Sequence, residues 1–386
     1  MQPERDAAPD LSAAERLRYG RHLSLPEVGL AGQRRFKGAR VLLVGAGGLG
    51  SPVALYLAAA GVGTIGVVEF DAVEASNLQR QIAHGTAGIG RPKLDSVRAR
   101  LADLNPHVEV VPHALRLDRT NALELIGAYD VVVDGSDNFA TRYLVNDACV
   151  LLGKPDVYGS ILRFEGQASV FHAAAGGPCY RCVFPEPPPH DLVPTCAEAG
   201  VLGVLPGVIG ALQATEVLKL LLGAPGTLVG RLLLYDAWTL RFRELSIARD
   251  RACPVCGDAP SIRELADYDE LCGPPARPVP GAGDIGVAEY ASMRARGEDH
   301  VLLDVREAGE LAIASVPGAT HLPLAMLPLR AGELDRARTI VVMCHVGGRS
   351  AMAVRWLAAN GFSRPLNLAG GIDAWSRDVD PGVPRY

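Results

Sequence analysis

The chain has 386 residues, of which 48% are hydrophobic and 21% are charged, and its formal net charge is −5. This length accommodates two or three domains, and the composition is typical of a globular protein rather than a disordered or fibrous one. The mildly acidic balance gives no reason to expect binding to nucleic acid or to an anionic membrane. The N-terminus is polar and no run of 18 uncharged apolar residues appears, so a cytoplasmic protein without a membrane span is predicted.

The first part of the chain predicts alternating strands and helices. A capping-box pattern opens a predicted helix in the segment 10–25. The segment 39–71 is then typical of a strand, a glycine loop, a helix and a second strand, and a helix is predicted over 91–106. Further strands are predicted at 107–113 and 129–138. This order favours a mostly parallel sheet with helices on both faces, whose ligands bind at the carboxyl ends of the strands.

The rest of the chain predicts a second unit joined by a linker. An irregular loop is predicted at 185–200, a buried apolar helix at 204–223 and a strand pair at 230–247. The stretch 257–281 is rich in proline and glycine, which predicts a linker. A smaller α/β unit follows at 282–386, long enough to form its own core.

The glycine loop "GAGGLG", residues 45–50, follows a strand and opens a helix. Its glycines allow backbone N–H groups to approach a phosphate at the start of that helix. Asp71 ends the next strand, where an acidic residue binds ribose hydroxyls in dinucleotide-binding folds. These features alone do not separate NAD, flavin and ATP.

Charged residues after the glycine loop favour ATP. Splitting ATP into AMP and pyrophosphate builds charge on the leaving group, which Arg80 and Lys93 can stabilise. Asp137 offers a hard oxygen ligand for magnesium. Two alternatives stay open: these are solvated surface charges, or the domain is that of an NAD(P)- or FAD-dependent oxidoreductase.

Residues 12–260 resemble the MoeB/ThiF family, the bacterial relatives of ubiquitin-activating enzymes. The matching segments are "RYGRHLSLPEVG", "GAGGLG", "EFDAVEASNLQRQ" and "SDNFATR". The resemblance implies a Rossmann-like domain, at residues 1–260, that adenylates the C-terminal glycine of a ubiquitin-like sulfur carrier of the MoaD, ThiS or CysO type. It also implies that Arg21 reaches ATP in a partner subunit, and hence a homodimer. The nucleotide-site positions it implies are Gly45, Gly47, Gly48, Gly50, Asp71, Ser76, Asn77, Leu78, Gln79, Arg80, Lys93, Asp137 and Asn138.

Two CxxC pairs, Cys179 with Cys182 and Cys253 with Cys256, predict a closed tetrahedral zinc site of structural type. Their spacing also resembles the zinc site of the MoeB/ThiF family. The alternatives are two unrelated pairs or a redox dithiol. Cys196 lies in a predicted loop, where a thiol is accessible. The same resemblance implies that it assists sulfur transfer, and the alternative is an inert loop residue.

The stretch "VVMCHVGGRSA", residues 341–351, predicts a strand end, a tight loop and a helix start. A sulfur nucleophile acts as an anion, and stacked backbone N–H groups, a helix N-terminus and Arg349 all stabilise an anion. Residues 282–386 resemble a rhodanese domain, through "LLDVREAGELAIASVPGATHLPL" and the loop "CHVGGRS". The resemblance implies that Cys344 carries sulfane sulfur as a persulfide. The alternative is a buried structural cysteine.

The two resemblances together predict a fused adenylyltransferase and sulfurtransferase of the MoeZ type. ATP would activate the carrier carboxylate, and the Cys344 persulfide would convert it to a thiocarboxylate. Catalytic roles are predicted for Cys344, Cys196, Arg80 and Asp137. The cofactors would be ATP, magnesium and zinc, and the sulfur donor thiosulfate or a cysteine desulfurase. Molybdopterin, thiamine and cysteine pathways stay open, as do an activator for protein conjugation and a scaffold that only binds a ubiquitin-like partner.

Overall fold

The computed structural model describes residues 10–187, 200–268 and 283–386. Within these ranges the chain forms two compact units, the first made of 10–187 and 200–268 and the second of 283–386. Most of the predicted loop at 185–200 lies outside the described residues. So do residues 269–281 of the predicted linker.

The first unit is built on an eight-stranded sheet. Its strands are β1 (Arg40–Val44), β2 (Thr64–Val68), β3 (Glu109–His113), β4 (Val131–Asp134), β5 (Asp156–Leu162), β6 (Glu165–Phe171), β7 (Arg231–Asp236) and β8 (Arg241–Ser246). The strand order is β3-β2-β1-β4-β5-β6-β7-β8. Pairings from β3 to β5 are parallel, and those from β5 to β8 are antiparallel. The predicted Rossmann-like arrangement of strands is therefore confirmed.

Nine α-helices accompany this sheet among the described residues. They are α1 (Ala13–Arg18), α2 (Gly20–Leu23), α3 (Gly29–Gly38), α4 (Gly50–Ala60), α5 (Lys93–Leu104), α6 (Ala122–Gly127), α7 (Phe139–Leu152), α8 (Tyr180–Val183) and α9 (Leu205–Leu222). The predicted capping box is present, with Ser12 as the N-cap residue. The helix predicted for 10–25 is interrupted at Tyr19, whose buried hydroxyl accepts a hydrogen bond from Asn105 Nδ2 at 2.8 Å.

The core of the first unit lies on both faces of the sheet. Alternate residues of a strand point to opposite faces, and β1 shows this clearly. Val41 and Leu43 pack in one cluster with Leu57 of α4, whereas Leu42 packs in a second cluster with Tyr143 of α7. Helices pack on both faces of the sheet in these clusters, and ligand binding at the carboxyl ends of the strands stays a prediction.

One helix in the described part of the chain, α9, is long and apolar enough to cross a membrane. It packs instead against α4 and against β5 and β6 in the core of the first unit. Ile209 and Val217 are fully buried there. We therefore interpret α9 as the buried apolar helix that the sequence predicted.

The first residues of the predicted linker contact the first unit. Residues 257–268 belong to the first unit, and Tyr268 is buried with its hydroxyl donating a hydrogen bond to Asp147 Oδ2 at 2.7 Å. Burial of the aromatic ring and this bond to a carboxylate hold the segment on α7.

The second unit contains a five-stranded sheet in which all pairings are parallel. Its strands are β9 (Gly283–Gly286), β10 (His300–Asp304), β11 (Thr320–His321), β12 (Thr339–Met343) and β13 (Arg364–Ala369), in the order β11-β10-β12-β13-β9. Its α-helices are α10 (Val287–Ala295), α11 (Ala308–Ile313), α12 (Leu327–Arg330), α13 (Gly348–Ala359) and α14 (Gly371–Asp378). β12 is fully buried and ends immediately before Cys344. The loop of residues 344–349, termed the sulfur loop, therefore lies at the carboxyl end of a central strand.

We predict that Gln213→Ala destabilises the first unit. Gln213, on α9, is fully buried and donates from Nε2 to the carbonyl oxygens of Asp134 (2.9 Å) and Val157 (3.0 Å). Its loss removes two buried hydrogen bonds, at a cost of about 3 kcal/mol. Urea unfolding of the full chain, monitored by circular dichroism, measures this loss of unfolding free energy. Thr215→Ala, on the exposed side of the same helix, is the matched control, and an equal midpoint for both variants would contradict the prediction.

Candidate active sites

The glycine loop turns tightly between β1 and α4. Gly45 has φ of +95° and its N–H donates to Val68 O at 2.9 Å. A Cβ atom on Gly50 would lie 2.0 Å from Gly45 O, far inside contact distance. Any side chain at residue 50 therefore forces the turn apart, and glycine keeps the start of α4 against the end of β1. This geometry is suited to presenting backbone N–H groups to a phosphate.

A second turn, between β4 and α7, lies against the glycine loop. A Cβ on Gly135 would be 3.1 Å from Val44 O and 3.3 Å from Gly50 N, so the two turns meet backbone to backbone. Asp134 Oδ1 accepts hydrogen bonds from the N–H (2.8 Å) and the hydroxyl (2.6 Å) of Ser136, which fixes the turn. The next residue, Asp137, is exposed beside the loop. It makes no hydrogen bond or ion pair with any residue in the described ranges.

Asn138 follows Asp137 but its side chain has a structural partner. Asn138 Oδ1 accepts from Thr141 N at 2.9 Å and is the N-cap of α7. This oxygen is therefore already used in the helix cap, and the predicted contact of Asn138 with a nucleotide would be made by its side-chain NH₂ group. Capping the helix in this way holds the turn that carries Asp137.

Buried titratable side chains lie near the turn of Asp137. Burial raises the pKa of Asp134 and raises that of Asp156 well above its ordinary value, and repulsion between the two carboxylates adds to the shift of Asp156. The guanidinium of Arg142 opposes both shifts and lies 5.7 Å from the centre of the Tyr158 ring. Asp134 is the last residue of β4, and Asp156 is the first residue of the neighbouring strand β5.

Lys93 and Asp71, both predicted nucleotide ligands, form an ion pair. Lys93 is buried at the start of α5, and its Nζ lies 3.0 Å from Asp71 Oδ2 and 3.9 Å from Glu69 Oε2. The lysine therefore lies at the carboxyl end of β2, where the sequence placed the ribose site. A bound phosphate would compete with these carboxylates for its ammonium group.

Glu69 is a site residue that the sequence reasoning missed. Its buried carboxylate accepts from Ala46 N at 3.1 Å through Oε2, and from Phe70 N and Asp71 N at 2.9 and 3.0 Å through Oε1. It therefore fixes the glycine loop and the ribose-site strand end together. Its hydrogen-bond partners are backbone groups, which leave no motif, and a charged neighbour, Lys93, lies 3.9 Å away. The only available signal was an acid two residues before Asp71.

His84 is a second residue that was missed. Burial lowers the pKa of His84, which favours the neutral ring. Its Nε2 lies 2.9 Å from Ala46 O, and its Nδ1 lies 2.5 Å from Ser96 Oγ on α5. A neutral ring that donates to the carbonyl and accepts from the serine satisfies both contacts. His84 thus joins the glycine loop to the helix that carries Lys93.

The segment 76–81, predicted to contact nucleotide, forms a compact turn. Arg80 is half-buried and donates to Ser76 O at 3.2 Å and to Asn77 Oδ1 at 3.0 Å. Leu78 is half-buried, whereas Gln79 and Ser76 are exposed. Arg21, the residue predicted to reach a partner subunit, is exposed on α2.

The four cysteines of the predicted metal site come together in the first unit. The Sγ atoms of Cys179, Cys182, Cys253 and Cys256 all lie within 4.8 Å of one another. Individual Sγ–Sγ distances of 3.3, 3.5 and 3.8 Å suit four ligands about 2.3 Å from one metal ion. The two pairs are therefore one cluster, which ties α8 to the segment after β8. Cys149 is a separate buried core residue, and Cys196 lies outside the described residues.

In the second unit, Cys344 is held by its own loop. Its Sγ is 3.1 Å from Gly347 N and 3.2 Å from Ser350 Oγ, and both groups are donors. Gly347 has φ of +104°, which turns its N–H toward the sulfur. Ser350 was not predicted, although it closes the "CHVGGRS" loop. The cysteine is 0% exposed, so an incoming group must displace a neighbour to reach it.

Arg349 does not act as the free cation that the sequence suggested. Its two terminal nitrogens donate to Glu310 at 2.6 and 2.7 Å. Burial is the largest single effect and raises the pKa of Glu310. The hydrogen bonds from Arg349, the Glu307 N–H and Tyr386, together with the attraction of the Arg349 charge, outweigh it and lower the pKa to about 2. Tyr386 also binds Glu310, and its ring stacks on the imidazole of His345, 4.4 Å away and 14° from parallel. Neither partner has a sequence signal, because both are distant in the chain.

Comparisons with known proteins match both units. Residues 19–255 match the ThiF family, and residues 287–378 match the rhodanese-like domain. The probable adenylyltransferase/sulfurtransferase MoeZ of Mycobacterium tuberculosis is 46% identical over 394 residues, covering 100% of this chain and 99% of that protein. The adenylyltransferase and sulfurtransferase MOCS3 of Sus scrofa is 46% identical over 404 residues, covering 97% of this chain and 89% of that protein.

Solved structures share the fold of the first unit. E. coli MccB, determined with succinimide, superposes with a TM-score of 0.54 at 23% identity, covering 62% of this chain and 74% of MccB. This likeness supports the fold alone. The sequence relatives and the family matches establish that the chain belongs to the ThiF family, with a rhodanese-like domain in its C-terminal part.

The chain is therefore an enzyme of the adenylyltransferase and sulfurtransferase class, as predicted. The resemblances to ThiF proteins and to rhodaneses are both confirmed. The oxidoreductase alternative is not supported, since relatives over the full length carry the adenylyltransferase name.

We predict that Glu310→Gln removes an acid-sensitive part of the stability of the second unit. A carboxylate with a depressed pKa stabilises the native state above its ordinary value of 4.5, and this contribution is lost as the pH falls through about 2. The difference in unfolding free energy between wild type and variant should be constant above about pH 5 and shrink below it. Urea unfolding at several pH values measures this. Glu333→Gln, in an exposed pair with Arg330, is the control, and a pH-independent difference for Glu310→Gln would refute the assignment.

Proposed function

We propose that this enzyme adenylates the C-terminal glycine of a ubiquitin-like sulfur carrier and then converts the carboxylate to a thiocarboxylate with sulfur held on Cys344. The observation that carries the proposal is that one chain combines a phosphate-type glycine loop flanked by Lys93 with a cysteine whose sulfur accepts two hydrogen bonds. The first supports activation of a carboxylate, and the second supports an anionic sulfur carrier. The domains proposed are 1–260 for adenylation and 282–386 for sulfur transfer, joined by the linker.

In the adenylation step, a carboxylate oxygen of the carrier attacks the α-phosphorus of ATP and pyrophosphate leaves. The glycine loop provides backbone N–H groups for the phosphates, and Asp71 the ribose contact. Lys93 and Arg80 stabilise the charge on pyrophosphate. To do so, Lys93 must release Asp71, and Arg80 must release its hydrogen bond to Asn77. Arg21 of a partner subunit completes the site, so the active form is a homodimer.

Magnesium fits the turn beside the glycine loop. Asp137 presents an exposed carboxylate there without a hydrogen-bond partner in the described ranges, and hard oxygen ligands of this kind suit magnesium. The ion, when bound, neutralises charge on the phosphates. The cap at Asn138 and the bonds from Ser136 to Asp134 hold the carboxylate in place.

In the sulfur step, a persulfide anion on Cys344 attacks the acyl carbon and AMP leaves. This produces an acyl disulfide between the carrier and Cys344. A thiolate, for which Cys196 is our candidate, then attacks the Cys344 sulfur. The carrier leaves as a thiocarboxylate, and a Cys196–Cys344 disulfide forms that a cellular thiol must reduce. Thiosulfate or a cysteine desulfurase would reload Cys344 with sulfur. We place the whole reaction in the cytoplasm.

A protein-conjugating activator is the second candidate, because it shares the adenylation chemistry. The loop around Cys344 favours sulfur transfer instead, since Gly347 N and Ser350 Oγ are aimed at the sulfur. A conjugating enzyme has no use for such a second site. The small protein that this enzyme accepts as substrate would identify the carrier. It would also identify the pathway, for which molybdopterin synthesis is one candidate.

We predict that Cys344→Ala separates the two reactions. With ATP and a Gly-Gly-ended carrier, the variant should release pyrophosphate at the wild-type rate. It should form no thiocarboxylate, because only the cysteine that holds the persulfide sulfur is gone. Intact mass of the carrier after incubation with ATP, magnesium and thiosulfate detects the exchange of one oxygen for sulfur. Lys93→Ala should reduce pyrophosphate release about a hundredfold or more.

Cys149→Ala, at a buried cysteine outside both sites, is the matched control and should behave as wild type. Thiocarboxylate formation by Cys344→Ala at the full rate would rule out the sulfur role. Pyrophosphate release by Lys93→Ala at the wild-type rate would rule out the phosphate role of that lysine.

We propose that the four-cysteine cluster holds one structural zinc ion. The sulfur separations fit a tetrahedral site, and a Cys₄ set leaves no position open for catalysis. The ion would tie α8 to the segment 253–256 and contribute to folding of the first unit.

We predict that Cys253→Ser lowers bound zinc from one ion per chain to much less than one and lowers the melting temperature of the first unit. Elemental analysis and thermal unfolding measure the two effects. Cys149→Ala is again the control, and it should retain the full zinc content. Full zinc content in Cys253→Ser would show that the cluster is not the metal site.

A further inference from the structure

The electrostatic surroundings of the sulfur loop differ from what its sequence suggests. The loop ends on Arg349, which is 8% exposed and whose terminal nitrogens are both committed to Glu310. An ion pair this buried is weakly screened by solvent, so the carboxylate cancels most of the cation's attraction for an anion. The only nitrogen left, Arg349 Nε, is buried without a partner in the described part of the chain.

Tyr386 holds the carboxylate against the arginine. Its hydroxyl donates to Glu310 Oε1 at 3.0 Å and accepts from Arg306 Nη1 at 2.7 Å. Burial raises the pKa of Tyr386 to about 12, which keeps this hydroxyl protonated. Because the same ring stacks on His345, Tyr386 contacts both the loop and the residue that neutralises Arg349.

The second arginine near this network is neutralised as well. Arg306 is fully buried and donates Nε and Nη2 to the carboxylate of Asp304, at distances from 2.6 to 3.2 Å. The guanidinium groups of Arg306 and Arg349 are thus each matched by one carboxylate. An anionic sulfur donor that approaches Cys344 therefore meets arginines whose charges are already balanced by carboxylates.

We propose that Glu310 is a specificity-determining residue of the sulfur-loading reaction, one that competes with the donor for Arg349 and so disfavours a small dianion such as thiosulfate relative to a persulfide. Tyr386 is the positioning residue that keeps Glu310 on the arginine. The proposal rests on the proposed role of Cys344 as the sulfur carrier.

The two loading reactions differ in the charge brought to the site. With thiosulfate, the Cys344 thiolate attacks the outer sulfur, a new sulfur–sulfur bond forms, and sulfite leaves with the electron pair of the broken bond. With a persulfide RSSH, the thiolate attacks the terminal sulfur and the thiolate RS⁻ leaves. The first reaction brings a dianion, whereas the second brings at most one negative charge. Pairing of Arg349 with Glu310 therefore weakens binding of the first donor more than binding of the second.

The test compares loading of Cys344 by two donors in the full chain. The donors are thiosulfate and the persulfide of N-acetylcysteine methyl ester, which carries no carboxylate. Rapid quenching and intact mass follow the gain of one sulfur. Glu310→Gln should lower the KM for thiosulfate about tenfold with little change in kcat, and leave the persulfide kinetics within about twofold. High salt should reduce the gain.

Further variants separate charge from structure. Glu310→Asp keeps the charge and should keep the wild-type preference. Tyr386→Phe should shift the KM for thiosulfate in the same direction by a smaller factor, and the double variant should match Glu310→Gln alone, since both changes act through one carboxylate. Glu333→Gln, on an exposed surface pair, should change neither donor's kinetics.

Equal losses with both donors in Glu310→Gln, or an unchanged KM for thiosulfate, would show that Glu310 is only structural. Either result would overturn this inference while the sulfur role of Cys344 stands. Absence of loading from both donors in the wild type would instead overturn the proposed role of Cys344, and the inference with it.

Discussion

The close contact between Gly45 and Gly50 is the constraint on which the first site depends. With a Cβ at residue 50 only 2.0 Å from Gly45 O, the end of β1 and the start of α4 can meet only if glycine is present. The second unit uses a related turn, in which Gly347 at positive φ points its N–H at the Cys344 sulfur. In both units a buried parallel strand leads directly into a helix start. Backbone donors are therefore fixed in place by the fold, and the anion that we propose for each differs: a phosphate in the first unit and sulfur in the second.

Both sites keep their cations paired with the protein's own carboxylates. Lys93 lies 3.0 Å from Asp71, and Arg349 binds Glu310 through two nitrogens. A buried cation without a partner is costly, and the carboxylate of each pair offsets that cost. The same pairs oblige a substrate anion to compete for the cation. ATP brings several charges and is suited to that competition, whereas a small sulfur donor is not, and this difference leads us to assign a selective role to Glu310.

The combination of two domains gives the chemistry its order. A free carboxylate is unreactive toward sulfur until adenylation provides AMP as a leaving group, so activation must precede sulfur transfer. Covalent linkage of the two domains raises the effective concentration of the Cys344 persulfide near the activated carboxylate, in the mechanism that we propose. Relatives such as MoeZ of Mycobacterium tuberculosis align with this chain over both domains, which shows that the fusion is shared. The cysteine cluster adds a local tie within the first unit, between α8 and the chain after β8.

The sequence by itself determined the alternation of strands and helices, the glycine loop, the two CxxC pairs and the Cys344 loop. Each of these is a local pattern whose physical cause lies within a few residues: side-chain periodicity, glycine conformations or ligand spacing. Only the tertiary structure decided that both CxxC pairs form one cluster and that the predicted linker begins with a segment anchored by Tyr268. It also decided that Glu69 holds the glycine loop and that Glu310, 39 residues before Arg349, neutralises it. Such partners meet through folding of distant segments or bind backbone atoms, and neither kind of contact leaves a pattern in the order of residues.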